Sequence, residues 1–204
     1  VQSISWQEIT VNGKSAHAGT TPMALRKDAG LAAARLNLRL YEMAVSGQYG
    51  ELRTTMGAIQ PAPGMVNIVP GRLRCTVDLR NPDDAQMAAA ERDLASFVRG
   101  LETEMGVQIE VRQTVRMQRV AFSQNVQAML ARKMGEAGFT FQHIMSGAGH
   151  DAQEMASICP AAMIFVPCEG GLSHNEAEAT SFEECAAGAQ VLLNAVLEYD
   201  RRKA

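Results

Sequence analysis

Four short stretches of this chain carry residue types that could do chemistry. Gly147-Ala148-Gly149-His150-Asp151-Ala152 and Gly170-Gly171-Leu172-Ser173-His174-Asn175 flank an apolar run from Ala161 to Pro167. Earlier in the chain, Ala16-His17-Ala18-Gly19-Thr20-Thr21-Pro22-Met23 sets one histidine among small residues. Asn67 and Arg80 stand on either side of the turn signal Pro70-Gly71. A neutral imidazole can ligate a divalent metal or move a proton near neutral pH. A guanidinium can grip a carboxylate through two parallel hydrogen bonds.

Each candidate also has a plainer reading. His174 could be an ordinary loop histidine, although nearby Glu169, Glu176 and Glu178 favour a ligand. One histidine cannot hold a metal, and no HExxH-like spacing supplies partners, so further ligands must be remote or absent. His17 reads equally as substrate-facing or as solvent-exposed. Arg80 shares an alternating face with Asp78 and Arg74, the pattern of a solvated sheet surface. Asn67 suits a turn, His150-Asp151 could simply cap a helix, and His143 reads as structural. Serine-nucleophile and phosphate-loop strings do not occur in the sequence.

The elements that must position these residues follow from periodicity. Val1 to Val11 reads as a strand with a phase slip near Gln7 that suits a bulge, and Asn12-Gly13 reads as a turn. From Leu25 to about Ser46, Leu25, Ala29, Ala32, Leu36, Leu40 and Met43 mark one face of a helix ended by Gly47. A strand follows from Leu52 to Gln60. After Pro70-Gly71, Leu73, Cys75, Val77 and Leu79 alternate with polar residues as far as Arg80. Asp83 or Asp84 opens a second helix with Met87, Ala90, Leu94, Phe97 and Leu101 inward, closed by Gly106. Val107 to Met117 is a further strand. Strand, helix, strand, strand, helix, strand is the ferredoxin-like βαββαβ order.

Beyond Met117 the expectation is a helix from Ser123 to about Ala137, a short strand at Phe139 to Ile144, and a helix from His150 to Ile158. A buried strand at 161–167 would follow, its carboxyl end leading to His174, where open α/β sheets place their ligands. A last helix should run from the capping signal Thr180-Ser181-Phe182-Glu183-Glu184 to about Tyr199. Two strands and three helices are too few to close a doubly wound domain, so the remaining strands are expected from chain outside this sequence.

Composition narrows the class. An apolar fraction of 47% over 204 residues is ample for a core. A net charge of -3 gives no reason to expect nucleic acid or an anionic membrane as partner. The first residues carry neither the basic nor the apolar block of a signal peptide. The four cysteines form no CxxC pair and read as small buried hydrophobes in a reducing, cytoplasmic setting.

Taken in order, Gly13 to Met23, Arg26, Asp28, Val66-Asn67-Ile68-Val69-Pro70-Gly71, Asp78-Leu79-Arg80, Gly147 to Ala152 and Gly171-Leu172-Ser173-His174 resemble the M20 metallopeptidase-like family. The resemblance is to its N-carbamoyl-L-amino acid hydrolase, allantoate amidohydrolase and β-ureidopropionase branch, and it spans essentially the whole chain. It implies a mixed α+β and α/β fold. Residues 5–117 would be a ferredoxin-like lid (dimerisation) domain, and residues 118–204 the carboxyl-terminal part of an α/β zinc-peptidase-like catalytic domain. It also implies two divalent metals, zinc or manganese, in the full-length enzyme, with most ligands outside this sequence and at most weak binding here. His174 resembles the last metal ligand. His17 resembles a lid histidine that reaches the partner subunit's active site, where it would polarise the scissile carbonyl. Asn67 and Arg80 resemble residues that hold the substrate's amide and carboxylate, and Gly149 and His150 resemble part of a loop lining the substrate site. The implied function is hydrolysis of a ureido C–N bond by a homodimer acting on a small carboxylate. The alternatives are an aminoacylase or dipeptidase of the same superfamily, or a dimerisation module without activity.

Overall fold

The structure is a computed structural model that describes residues 1–201, in two units: Val1–Arg119, and the chain from Val120 onward. The first unit is built on a four-stranded antiparallel sheet. Strand β1 (Ser3–Asn12) is followed by the short β2 (Ala16–His17), helix α1 (Ala29–Val45), β3 (Arg53–Ala62), the short β4 (Ile68–Val69) and β5 (Arg72–Asn81). Helix α2 (Asp84–Met105) and strand β6 (Gln108–Met117) complete it. The sheet order is β3-β5-β1-β6, so β5 lies between the parallel pair β1 and β3, as in a split βαβ. The expected register slip is present, between Trp6 and Gln7 in the β1–β6 ladder.

The alternation in β5 sorts its side chains. Leu73, Cys75, Val77 and Leu79 are buried with Ile9 and Val11 of β1. Against them pack Ala32, Ala33, Leu36, Leu40 and Met43 of α1 and Met87, Ala90, Leu94, Val98 and Leu101 of α2. Both helices begin on an aspartate: Asp28 accepts from the amides of Gly30 and Leu31, and Asp83 from those of Ala85 and Gln86. Helix α2 ends at Gly106, whose φ of 61° suits a residue without a Cβ.

Several expectations are corrected here. Leu25 does not belong to α1; it lies in a 3-10 turn (Met23–Leu25) and is exposed. The inward position near the end of α2 is Val98, while Phe97 is only partly buried and lies under the Arg39 guanidinium at 5.8 Å. Only Cys75 is buried, where burial pushes its thiol pKa up to about 11; Cys159 and Cys185 are exposed.

The second unit holds α3 (Gln124–Glu136), α4 (Ala152–Ala156) and α5 (Phe182–Arg201). Ser181 and Glu184 cap α5 reciprocally: the Glu184 amide donates to Ser181 Oγ at 3.2 Å, and the Ser181 amide to Glu184 Oε2 at 3.1 Å. Met129 and Leu130 of α3 meet Val191 and Ala195 of α5 in a small core, flanked by Ala162 and Ile164. Residues 139–144 and 161–167 are not strands, contrary to expectation. A strand needs a neighbouring backbone to pair its N–H and C=O groups, and among the described residues neither segment has one. Phe165 and the α5 residues Leu192, Leu193, Val196 and Leu197 are accordingly exposed. No described helix is long and apolar enough to cross a membrane.

Candidate functional site

The loop carrying His17 is held at both ends by close backbone approaches. Strand β2 pairs with β4 in the register Ala16↔Val69 and His17↔Ile68. Before it, the Gly13 amide donates to Gly71 O and the Lys14 amide to Lys27 O, each at 2.8 Å. A Cβ on Gly13 would stand 2.1 Å from Lys27 O, and one on Gly71 would stand 2.3 Å from Ser15 Oγ. Asn12-Gly13 is therefore not a turn. The chain runs straight through it, and the glycine is needed for contact with a second backbone.

Beyond His17 the chain turns sharply, with the Thr21 amide donating to His17 O at 3.1 Å. The amides of Gly19 and Thr20 donate to His17 Nδ1, at 3.0 and 3.3 Å. The Ala18 amide donates to Asn67 O at 3.0 Å, which ties this loop to the turn bearing Asn67. That turn is closed by the Ile68 amide on Met65 O at 3.3 Å. The structure thus brings His17 and Asn67 together, both exposed, beside the exposed apolar side chains of Met23, Leu25, Met65 and Val66.

Arg80 is not brought to them within one chain. It sits near the far end of β5, eight strand steps from Arg72, about 26 Å at 3.3 Å per residue. Its guanidinium forks onto Asp78, with Nε donating to both carboxylate oxygens and Nη2 to Oδ2 at 2.8 Å. Directly across the ladder stands Arg53, which donates to Gln2 Oε1 at 3.1 Å. Arg53 and Arg80 place two cations side by side on one sheet face. Sequence reasoning missed Arg53, because cross-strand neighbours are set by register rather than by spacing. Further along that face Glu8 lies between Arg74 and Arg112, which hold its carboxyl below the usual carboxylate range.

In the second unit Gly149 and His150 are exposed. His150 Nδ1 accepts from the Ala152 amide at 3.0 Å, and its own amide donates to Gln153 Oε1 at 2.9 Å. His174 is exposed, with φ at 57°, a left-handed conformation that a non-glycine residue seldom adopts, and its amide donates to Glu178 Oε2 at 3.0 Å. Among the described residues no group of three or more His, Cys, Asp or Glu side chains is arranged to hold a metal ion. These residues by themselves do not fit a two-metal centre. His143 is exposed, its ring edge-on to Phe141, rather than part of a strand.

The first unit is a ferredoxin-like split βαβ and the second a helical segment carrying glycine-rich histidine loops, which together define a chain of mixed α/β class. Residues 8–198 match the profile of peptidase family M20/M25/M40, and the chain belongs to that family. It is 36% identical over 197 residues to the N-carbamoyl-L-amino-acid amidohydrolase of Rhizobium meliloti, covering 97% of this chain and 47% of that protein. It is 32% identical over 197 residues to the allantoate amidohydrolase of Bacillus subtilis (strain 168), covering 94% and 47%. Among solved structures, an amidase of the hydantoinase/carbamoylase family from Burkholderia vietnamiensis superposes with a TM-score of 0.92 at 37% identity, over 97% of this chain and 48% of that one. The chain spans about half the length of the relatives it matches.

Proposed function

We propose that this chain supplies the lid and the closing catalytic segment of a metal-dependent amidohydrolase that cleaves the ureido C–N bond of N-carbamoyl-L-amino acids or related ureido acids. The lid is residues 5–117 and the closing segment residues 118–204. The observation that carries this reading is the built loop that sets His17 beside Asn67, in a chain resembling carbamoyl and allantoate hydrolases over nearly its whole length. In the complete enzyme His17 donates to the oxygen that gains charge as the carbonyl is attacked. Asn67 holds the amide, Arg80 binds the substrate carboxylate, Gly149 and His150 line the pocket, and His174 would be one ligand of the divalent metals, whose chemistry would be to supply an activated water.

Two tests bear on this reading. The complete enzyme is expected to release ammonia from N-carbamoyl-L-amino acids. Turnover of only N-acyl amino acids or dipeptides would instead make it an aminoacylase or dipeptidase. This chain alone, titrated calorimetrically with zinc or manganese, is expected to bind at most weakly through His174; two tight sites per chain would contradict the assignment of the other ligands to residues outside it.

The same reading makes the enzyme a homodimer that shares its sites. His17 and Arg80 are too far apart in one chain to touch one small substrate, and a second copy can bring them together. An apolar seam supports this. On α1, Leu31, Ala34, Leu38, Tyr41 and Val45 repeat every three or four residues on the side opposite the core. The large side chains among them are 48%, 57%, 63% and 61% exposed. An apolar stripe of this length on a helix is the kind of surface a partner covers. Leu38→Glu is therefore expected to shift the protein to monomer at micromolar concentration in sedimentation velocity. An unchanged dimer would remove α1 from the interface.

A further inference from the structure

His17 is oriented by a device that extends beyond its own neighbours. Arg26, at the end of the same loop, donates from Nη2 to Ala18 O at 2.6 Å and from Nε to Thr21 O at 2.9 Å. These two carbonyls bracket Gly19 and Thr20, whose amides donate to His17 Nδ1. One planar guanidinium thus spans both sides of the segment that faces the imidazole. The Arg26 amide donates to Met23 O at 3.2 Å, and the next residue is tied to Lys14, so the arginine backbone is itself anchored. The Nδ1–Cε1 edge of the ring faces Gly19, where an added Cβ would stand 3.4 Å from His17 Cε1.

The chemistry follows from which atom accepts. Two N–H donors converge on Nδ1, so that nitrogen presents its lone pair and the neutral ring carries its proton on Nε2. Nε2–H is then left to face outward from the loop as a donor of fixed direction.

We propose that Arg26 is a positioning residue, which together with the Gly19 and Thr20 amides holds His17 as an Nε2–H donor. The proposal rests on the amidohydrolase reading for its catalytic consequence, but the ring geometry is independent of it. Two experiments separate the parts. In this chain, amide hydrogen exchange and 15N spectra of the histidine rings are compared between wild type, Arg26→Ala and Arg26→Lys. Arg26→Ala is expected to speed exchange at Gly19 and Thr20 by about tenfold or more, and to shift the His17 Nδ1 resonance away from its hydrogen-bonded value. His143, His150 and His174 should be unmoved, and Arg26→Lys should recover the effect only in part. Trp6 fluorescence, which reports unfolding of this unit, checks that each variant is folded. Unchanged exchange and an unchanged His17 ring in folded Arg26→Ala would overturn the proposal.

In the complete enzyme, Arg26→Ala is expected to lower kcat by about tenfold to a hundredfold with KM nearly constant. Added to His17→Ala it should lower kcat no further. Additive losses would mean that Arg26 acts elsewhere and would overturn the proposal. An enzyme whose kcat ignores His17→Ala altogether would instead remove the catalytic reading and leave the loop geometry to be judged by the exchange data.

Discussion

When His17→Ala and Arg80→Ala variants of the complete enzyme are mixed in equal amounts and allowed to exchange subunits, about a quarter of the parental activity is expected to return. Alone, each variant should be crippled. Removing one donor from a developing oxyanion costs about 10²- to 10³-fold in kcat. Losing a charged hydrogen bond to the carboxylate costs about 1.5–3 kcal/mol, or roughly ten- to 150-fold in KM. The recovery follows from the roughly 26 Å along β5 between the two ends. If one site takes its histidine from one subunit and its arginine from the other, half of the randomly paired dimers are mixed. One of the two sites in each mixed dimer is then intact. Mixed dimers that form, as verified by a mass tag, and yet stay inactive would show that each chain builds its own site.

Leu36→Ala is expected to destabilise the first unit by about 2–5 kcal/mol and lower its urea midpoint by roughly 1–2 M. Leu36 is fully buried on the core side of α1, in a cluster with Leu40, Leu79 and Leu94. Truncation leaves a cavity that the sheet behind it cannot collapse to fill. Trp6 is the chain's single tryptophan and lies half-exposed on the outer sheet face, so its fluorescence follows this unit alone. Leu38, two residues on but facing outward, provides the control: in the monomer Leu38→Ala should change stability by no more than about 0.5 kcal/mol. Equal effects at the two positions would mean that the inward and outward faces of α1 have been misassigned.

The first unit was legible because its periodicities are clean. In β5 every second residue is buried, and in both helices the apolar residues recur at helical spacing, so local pattern and tertiary burial agree. The outward seam on α1 was equally present in the sequence, yet easily passed over, because one apolar face suffices to dock a helix. The second unit was legible only in its helices, which satisfy their own backbones. The two strands expected there need neighbours, and an apolar run such as 161–167 carries no record of who pairs with it.

By itself the sequence determined the ferredoxin-like order, the caps at Asp83 and Ser181, and the short list of residues worth watching. It did so because these depend on spacing and on local hydrogen bonding. Tertiary structure alone decided that Gly13 admits the Lys27 backbone, that Arg26 clamps the loop behind His17, that Arg53 stands across from Arg80, and that Arg80 lies a full strand length from Asn67. Those facts arise where distant segments meet. Register and close approach, which no single stretch of sequence encodes, fix which side chains share a site.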